Sequence, residues 1–338
     1  MSRSLALPAF GLALAYGLAP LLGSDYLIEA IALPFLALSL AAVGLNLLTG
    51  YTGQVSLGSA AFLAIGAYAA FNLNLRVHGQ PLPLTIALAG LASAAVGVGF
   101  GLPSLRLRGF YLAVSTLAAQ FFVQWALNKF AWFSNNSNSG VIDAPKLQFA
   151  NVSFSSPLGR CYFSLTVVAV LTALVWRLVS VKAGRDFMAV RDHETAARII
   201  GVPVLRAKLT AFAVSSFVIG VAGVLWAFAY LRTVEPDGFN LDRSFQILFI
   251  VIIGSLATIR GAFLGALLIV VLPLLLSRLS VAPFGGGIDA GSLDMIQRVV
   301  IGAAIIGFLI AEPEGLAALT RRASQFAGRT LKLNAASR

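Results

Sequence analysis

The sequence predicts an all-α, polytopic membrane protein of about ten spans, and three observations carry that prediction. Hydrophobic residues make up 59% of the 338 residues and charged residues only 11%, with a mean hydropathy of +0.89. A soluble domain carries roughly a quarter charged residues. The apolar residues fall in blocks of about 16–24, long enough to cross a hydrocarbon core at roughly 1.5 Å per residue. The basic residues, finally, gather at alternate connections between those blocks, the asymmetry that orients membrane proteins.

Ten apolar blocks are read, at roughly 5–22, 27–48, 59–75, 83–101, 109–128, 161–179, 209–231, 244–259, 262–279 and 295–311. The first follows Arg3 and could pass for a secretory signal peptide. No small-x-small cleavage site follows it cleanly and another block begins at Leu27, so it is read as a retained helix. An even number puts both termini on one side. That side takes the loops around 49–58, 102–108 and 180–208, the junction at Arg260 and the tail after 312, and it holds sixteen Lys and Arg. The other side holds seven, and Arg298 lies inside the tenth block. Positive-inside bias makes the richer side cytoplasmic, in a bacterial inner membrane. The net charge of +11 is then mainly a topology signal. It favours anionic lipid headgroups at the inner leaflet, and nucleic acid need not be invoked. Residues 1–320 read as one transmembrane domain and 321–338 as a basic cytoplasmic tail.

Several chemistries are disfavoured. The single cysteine, Cys161, excludes an intrachain disulfide, and no Cys/His cluster offers metal-ligand spacing. His78 and His193 both lie outside the apolar blocks. No Gly-x-x-x-x-Gly-Lys-Ser/Thr pattern occurs, so any ATP that drives the protein is bound by another chain, and no cofactor is expected on this one. Ion-coupled carriers and redox-linked pumps need ionisable residues deep in the membrane. The middles of the blocks contain no Lys, Asp or His, with Glu29 and Arg298 near helix ends. A membrane-embedded enzyme would need a His/Asp/Glu cluster that is not apparent.

Two loops are long. The outer one, about 129–160, contains a Ser/Asn run over 134–140 that reads as turns. The inner one, about 180–208, reads as structured, with a short helix over Asp192–Gly201. Asp192 is placed as its N-cap, Glu194 sits in the positive first turn, Gly201 suits a left-handed exit, and Pro203 blocks resumption. Ala196, Ala197, Ile199 and Ile200 form its apolar face. Such a helix either lies on the bilayer or docks into a partner's groove.

The stretch from Gly44 to Gly58 interrupts apolar sequence with four glycines and five polar, uncharged side chains: Asn46, Thr49, Thr52, Gln54 and Ser56. Each glycine lowers helix stability by about 1 kcal/mol relative to Ala, so a break falls near 49–58. One reading is a broken helix lining a polar path through the membrane, since irregular backbone at that depth survives only against protein or a watery cavity. The other is an ordinary turn just outside the bilayer.

Three runs resemble the LivM-type permeases of branched-chain amino-acid ABC importers. They are Gly44 to Tyr68, the run Gly184-Arg185-Asp186-Phe187-Met188-Ala189-Val190-Arg191-Asp192 leading on to Lys208, and Val251 to Ala266. Glu194, Ala196, Ala197 and Gly201 match the Glu-x-Ala-Ala-x-x-x-Gly loop that such permeases insert into an ATPase subunit. The match departs at Thr258-Ile259-Arg260, where Gly-Ser and then an aromatic or small residue would be expected. The resemblance implies a transport subunit that is not itself an enzyme. It also implies a heterodimer with a second permease, two ATP-binding cassette subunits and a periplasmic solute-binding protein. The substrate would be a branched-chain or related amino acid; family relatives moving urea, amides, aromatic acids or sugars are the alternative. Two smaller features have local readings. Gly97-x-x-x-Gly101 and Gly261-x-x-x-Gly265 suit close helix packing inside the chain or at a subunit interface. Arg298, four residues after Asp294, suits an i,i+4 pair or a substrate carboxylate.

Overall fold

Hydrocarbon offers no hydrogen-bond partner, so a chain this apolar closes its backbone bonds within helices. The computed structural model describes residues 24–77, 79–104, 110–137, 141–145, 147–149 and 152–281, with isolated positions at 295, 299–300, 302–303, 306–307 and 315–317. The first apolar block, Arg298 and the basic tail lie outside the described residues.

Helix α1 (Asp25–Tyr51) opens on Ser24, whose Oγ accepts from the Leu27 N–H at 3.4 Å, with Asp25 in the positive first turn. Two stretches of it, Ile28–Ala32 and Leu47–Tyr51, are π turns. Pro34 accounts for the first. It has no N–H to return to the Ala30 carbonyl and its ring would strike that oxygen, so the turn ahead of it widens. Helices α2 (Ser59–Arg76), α3 (Leu82–Ser104) and α4 (Phe110–Lys129) follow. The Ser156 Oγ then caps α5 (Pro157–Ser180) by accepting from the Gly159 N–H at 3.1 Å, with Pro157 where a missing N–H costs nothing. After α6 (Lys182–Asp192) and α7 (Glu194–Ile199) comes α8 (Val204–Leu231), which closes on a third π turn, Leu225–Leu231. Two helices, α9 (Leu241–Gly254) and α10 (Ile259–Val281), complete the series.

Four of these, α1, α3, α5 and α8, are long and apolar enough to cross a membrane. The helix of the block at 244–259, expected as a span, is too short to cross by itself. That helix, α9, has 14 residues, about 21 Å against a core of about 30 Å, and stops at Gly254. Ser255 and Ala257 then take φ of 112° and 57° before α10 begins. The loop between α4 and α5 holds turns over 131–136, with Asn135 and Asn136 left-handed, a conformation asparagine tolerates. It also holds strands that the sequence did not announce. Strand β1 (Ile142–Asp143) pairs antiparallel with β4 (Thr233–Val234), and β2 (Gln148–Phe149) with β3 (Val152–Ser153).

Helix α8 is the axis of the bundle. A Cβ on Gly66 of α2 would lie 2.0 Å from the Gly220 carbonyl oxygen, so these two helices meet backbone to backbone. Ser215 Oγ donates to the Gly44 carbonyl on α1 at 2.7 Å, and Ser93 Oγ on α3 donates to the Ser216 carbonyl at 2.9 Å. Small residues and serine hydroxyls of this kind hold helices together where no hydrophobic drive separates lipid from protein. The pair Gly97 and Gly101 faces Ser216 and Phe212 on α8, while Gly261 and Gly265 face Gly254 and Ile250 on α9. Both motifs pack inside the chain.

Gly66→Ala should therefore destabilise the protein by about 1–3 kcal/mol, since the added methyl meets rigid backbone. Gly99→Ala, which meets nothing within 4 Å, should leave stability unchanged or raise it by up to about 1 kcal/mol. Thermal unfolding of the purified protein in detergent measures the difference; equal midpoints would remove the contact's importance.

Candidate translocation path and coupling helix

Helix α1 ends at Tyr51 and α2 starts at Ser59, and between them burial alternates. Thr52, Gln54, Ser56 and Gly58 are buried while Gly53 and Val55 are exposed. The first-turn amides of α2 would be orphans, because its N-cap is Gly58 and has no side chain. Distant residues serve them. The Ala60 N–H donates to Ser244 Oγ at 2.9 Å and the Ala61 N–H to Gln120 Oε1, while the Leu57 N–H donates to Thr116 Oγ1 at 2.9 Å. Gln120 reaches on through Nε2 to the Phe239 carbonyl at 2.9 Å.

The five residues expected on a path occupy different roles. Asn46 holds the second break: its Nδ2 donates to the Thr258 carbonyl at 2.8 Å and its Oδ1 accepts from the Ala257 N–H at 2.9 Å. Thr52 Oγ1 donates to the Leu48 carbonyl at 2.6 Å, closing the end of the π turn. Thr49 Oγ1 donates to the Gln54 carbonyl at 3.2 Å, and Ser56 Oγ accepts from the Gly58 N–H at 3.4 Å. Gln54 differs. It is 3% exposed, and neither its Oε1 nor its Nε2 has a partner. A buried amide left unpaired in a native fold asks for an explanation.

The short inner-loop helix starts later than expected. Asp192 is the last residue of α6, which its buried Phe187 and Val190 hold against the bundle, and its carboxylate pairs with Arg191 Nε at 2.9 Å. The chain bends at His193 (φ −153°), and α7 begins at Glu194 with no side-chain cap. Glu194 does occupy the first turn, and its carboxylate pairs with Lys208 Nζ at 2.9 Å and with Arg198 at 3.4 Å. Gly201 is left-handed at φ 87°, and Val202 N–H returns to the Ala197 carbonyl at 2.9 Å. The apolar face is split. Ala197 is 2% exposed and packs inward, whereas Ala196, Ile199 (81%) and Ile200 (74%) face out. On a helix residues i, i+3 and i+4 share a side, which groups 196, 199 and 200 and turns 197 away.

Arg191 joins the two regions. Its Nη1 donates to the Gly50 carbonyl at 3.1 Å, and its side chain crosses the bare face of Gly53, which is left-handed at φ 70°. Sequence reasoning placed Arg191 and Lys208 among the inner-side charges and in the run that resembles the permease family, and missed these contacts. It also placed Arg160 in an outer loop. Arg160 is in fact 4% exposed, ion-paired with Glu29 of α1, and donates through Nη1 to the Ala229 carbonyl of α8 at 2.8 Å.

A family model for the permease component of the branched-chain amino acid transport system matches residues 27–309. Over 302 residues the chain is 30% identical to the high-affinity branched-chain amino acid transport system permease protein LivM of Escherichia coli, a match covering 82% of this chain and 67% of that protein. It is 25% identical over 183 residues to a probable branched-chain amino acid transport permease protein LivM of Methanocaldococcus jannaschii, covering 52% of this chain and 51% of the relative. It is 31% identical over 115 residues to the autoinducer 2 import system permease protein LsrC of an Enterobacter species, covering 33% of this chain and 32% of that one. No solved structure matches.

Asn46→Leu removes both bonds to the 255–258 turn at similar volume. Each stranded backbone group costs about 1–3 kcal/mol, so the unfolding midpoint of the purified protein should fall by several degrees. An unchanged midpoint would mean that the turn stands without Asn46.

Proposed function

This chain belongs to the permease-component family of branched-chain amino-acid transport systems, and from that premise we propose that it is the membrane-spanning subunit of an ABC importer for branched-chain or related amino acids. Gln54 supports the path: an amide with four unmet hydrogen-bonding positions, on a broken segment between helices, offers a passing polar solute what water would. Asn46, Thr49, Thr52 and Ser56 shape that segment by bonding its backbone. The outward Ile199 and Ile200 support the coupling assignment, because two neighbouring isoleucines this exposed suit a partner's groove. The partner is an ATP-binding cassette subunit, which hydrolyses the ATP. A second permease completes the membrane unit, and a periplasmic protein delivers solute. Arg191 links α7's neighbour α6 to the Gly50 carbonyl, giving a direct mechanical route from the coupling helix to the path.

Ten spans with both termini inside follow from the apolar blocks and the basic-residue asymmetry. The similarity to an autoinducer 2 permease favours a second reading over one third of the chain, in which the solute is not an amino acid.

Reporter fusions test the topology: one at position 140 should be outside and one at 330 inside, and both on one side would refute it. Reconstitution of the full importer tests the function by uptake of L-leucine into proteoliposomes. Ile199→Asp with Ile200→Asp should insert normally yet lose roughly tenfold or more of transport and of ATPase stimulation, because a carboxylate sunk in an apolar groove is strongly unfavourable. Wild-type uptake by that variant would overturn the docking assignment.

A further inference from the structure

Helix α9 begins with a cation that no carboxylate contacts among the described residues. After α8 the chain returns through β4 and a 3-10 turn (Pro236–Phe239), and Phe239 is bonded to Gln120, halfway along α4. The helix therefore starts beside the middle of α4, with Leu241 and Arg243 half-buried and Asp242 exposed. Asn240 caps it, with Oδ1 accepting from the Arg243 N–H at 3.2 Å, so Arg243 sits in the first turn. Its guanidinium lies 4.2 Å from the ring centroid of Trp226, five residues before the end of α8. One nitrogen, Nη1, meets Gln246 Oε1. Its Nε is buried without an acceptor, and among the described residues no carboxylate lies within 4.0 Å of it. Trp226 is 4% exposed and its indole N–H is likewise unpartnered.

Arg160 shows the ordinary solution for a buried cation, a carboxylate at contact distance. Arg243 has no carboxylate at contact distance among the described residues: it rests on the Trp226 ring and the Gln246 amide oxygen, with the exposed Asp242 beside it in the chain. A guanidinium partly withdrawn from water without a contacting anion is costly, and within a membrane protein such a group faces a solute path or a partner. The N-terminus of a short helix adds partial positive charge at the same point, as at the anion sites of discontinuous transporter helices. Ser244, next in the chain, caps α2 where the broken segment ends, so this corner adjoins the break that holds Gln54.

We propose that Arg243, with the Trp226 N–H and the first turn of α9, is a carboxylate-binding station on the translocation path. It takes the α-carboxylate of a transported amino acid on the flat fork of the guanidinium. The proposal rests on the importer reading above.

The test uses the complete importer in proteoliposomes with L-leucine as the probe. Arg243→Gln should assemble with every subunit yet lower leucine uptake roughly tenfold or more, the loss expected from one charged hydrogen-bonding pair. Arg243→Lys, which keeps the charge without the fork, should fall between the two. Wild-type uptake by Arg243→Gln would overturn the station. So would loss of the second permease from the Arg243→Gln complex, which would make Arg243 an interface residue whose anion lies on the partner. Should Arg243→Gln fail to fold, Trp226→Phe keeps the ring and removes the N–H. Its half-saturating leucine concentration should rise, and an unchanged value would equally overturn the station. A wild-type complex that takes up no leucine refutes the importer reading instead, so the two failures are distinct.

Discussion

A backbone that leaves its helix within a packed bundle must find a partner for each group it frees, and among the described residues this chain does so at 52–58 and at 255–258. The two breaks are tied to one another. Asn46, at the end of the regular part of α1, spends both ends of its amide on the second break. Thr116, Gln120 and Ser244, on two other helices, take the amides freed at the first. Gln120 then grips the turn that leads into α9. Both breaks are therefore held by side chains from other elements. Arg191 attaches this lattice to the inner loop through the Gly50 carbonyl.

How much of this was legible depended on whether a feature had local causes. The Ser156–Pro157 start of α5, the break after Tyr51 and the left-handed Gly201 each follow from residue types within a few positions, and the sequence carries them openly. The grouping of Ile199 and Ile200 away from Ala197 was also available, since i, i+3 and i+4 define a face. It was obscured by treating four small apolar residues as one surface. The position of Asp192 was not available in this way. Its assignment to α6 depends on Phe187 and Val190 being buried, which is a tertiary fact. The remote caps were hidden for the same reason. Asn46 and Ala257 are 211 residues apart and Ala60 and Ser244 are 184 apart, and no periodicity records such pairings. The shortness of α9 was masked because its apolar residues run on into the turn and α10, so composition alone read through the break.

Charge inside the bundle obeys a similar division. Lys208 and Glu194 pair across fourteen positions and fix α7 against the foot of α8, a use that a count of inner-side cations could not reveal. Arg160 does the corresponding work at the other end. It reaches Glu29 in the first π turn of α1 and the Ala229 carbonyl in the π turn of α8. A π turn leaves a carbonyl without its usual i+4 donor, and the Arg160 guanidinium supplies one. The same last turns of α8 carry Trp226 and Tyr230, whose rings lie 4.7 Å apart. The widening that Pro34 forces on α1 is thus connected, through Glu29 and Arg160, to the aromatic wall beneath Arg243. Three helices, α5, α1 and α8, therefore share one paired cation.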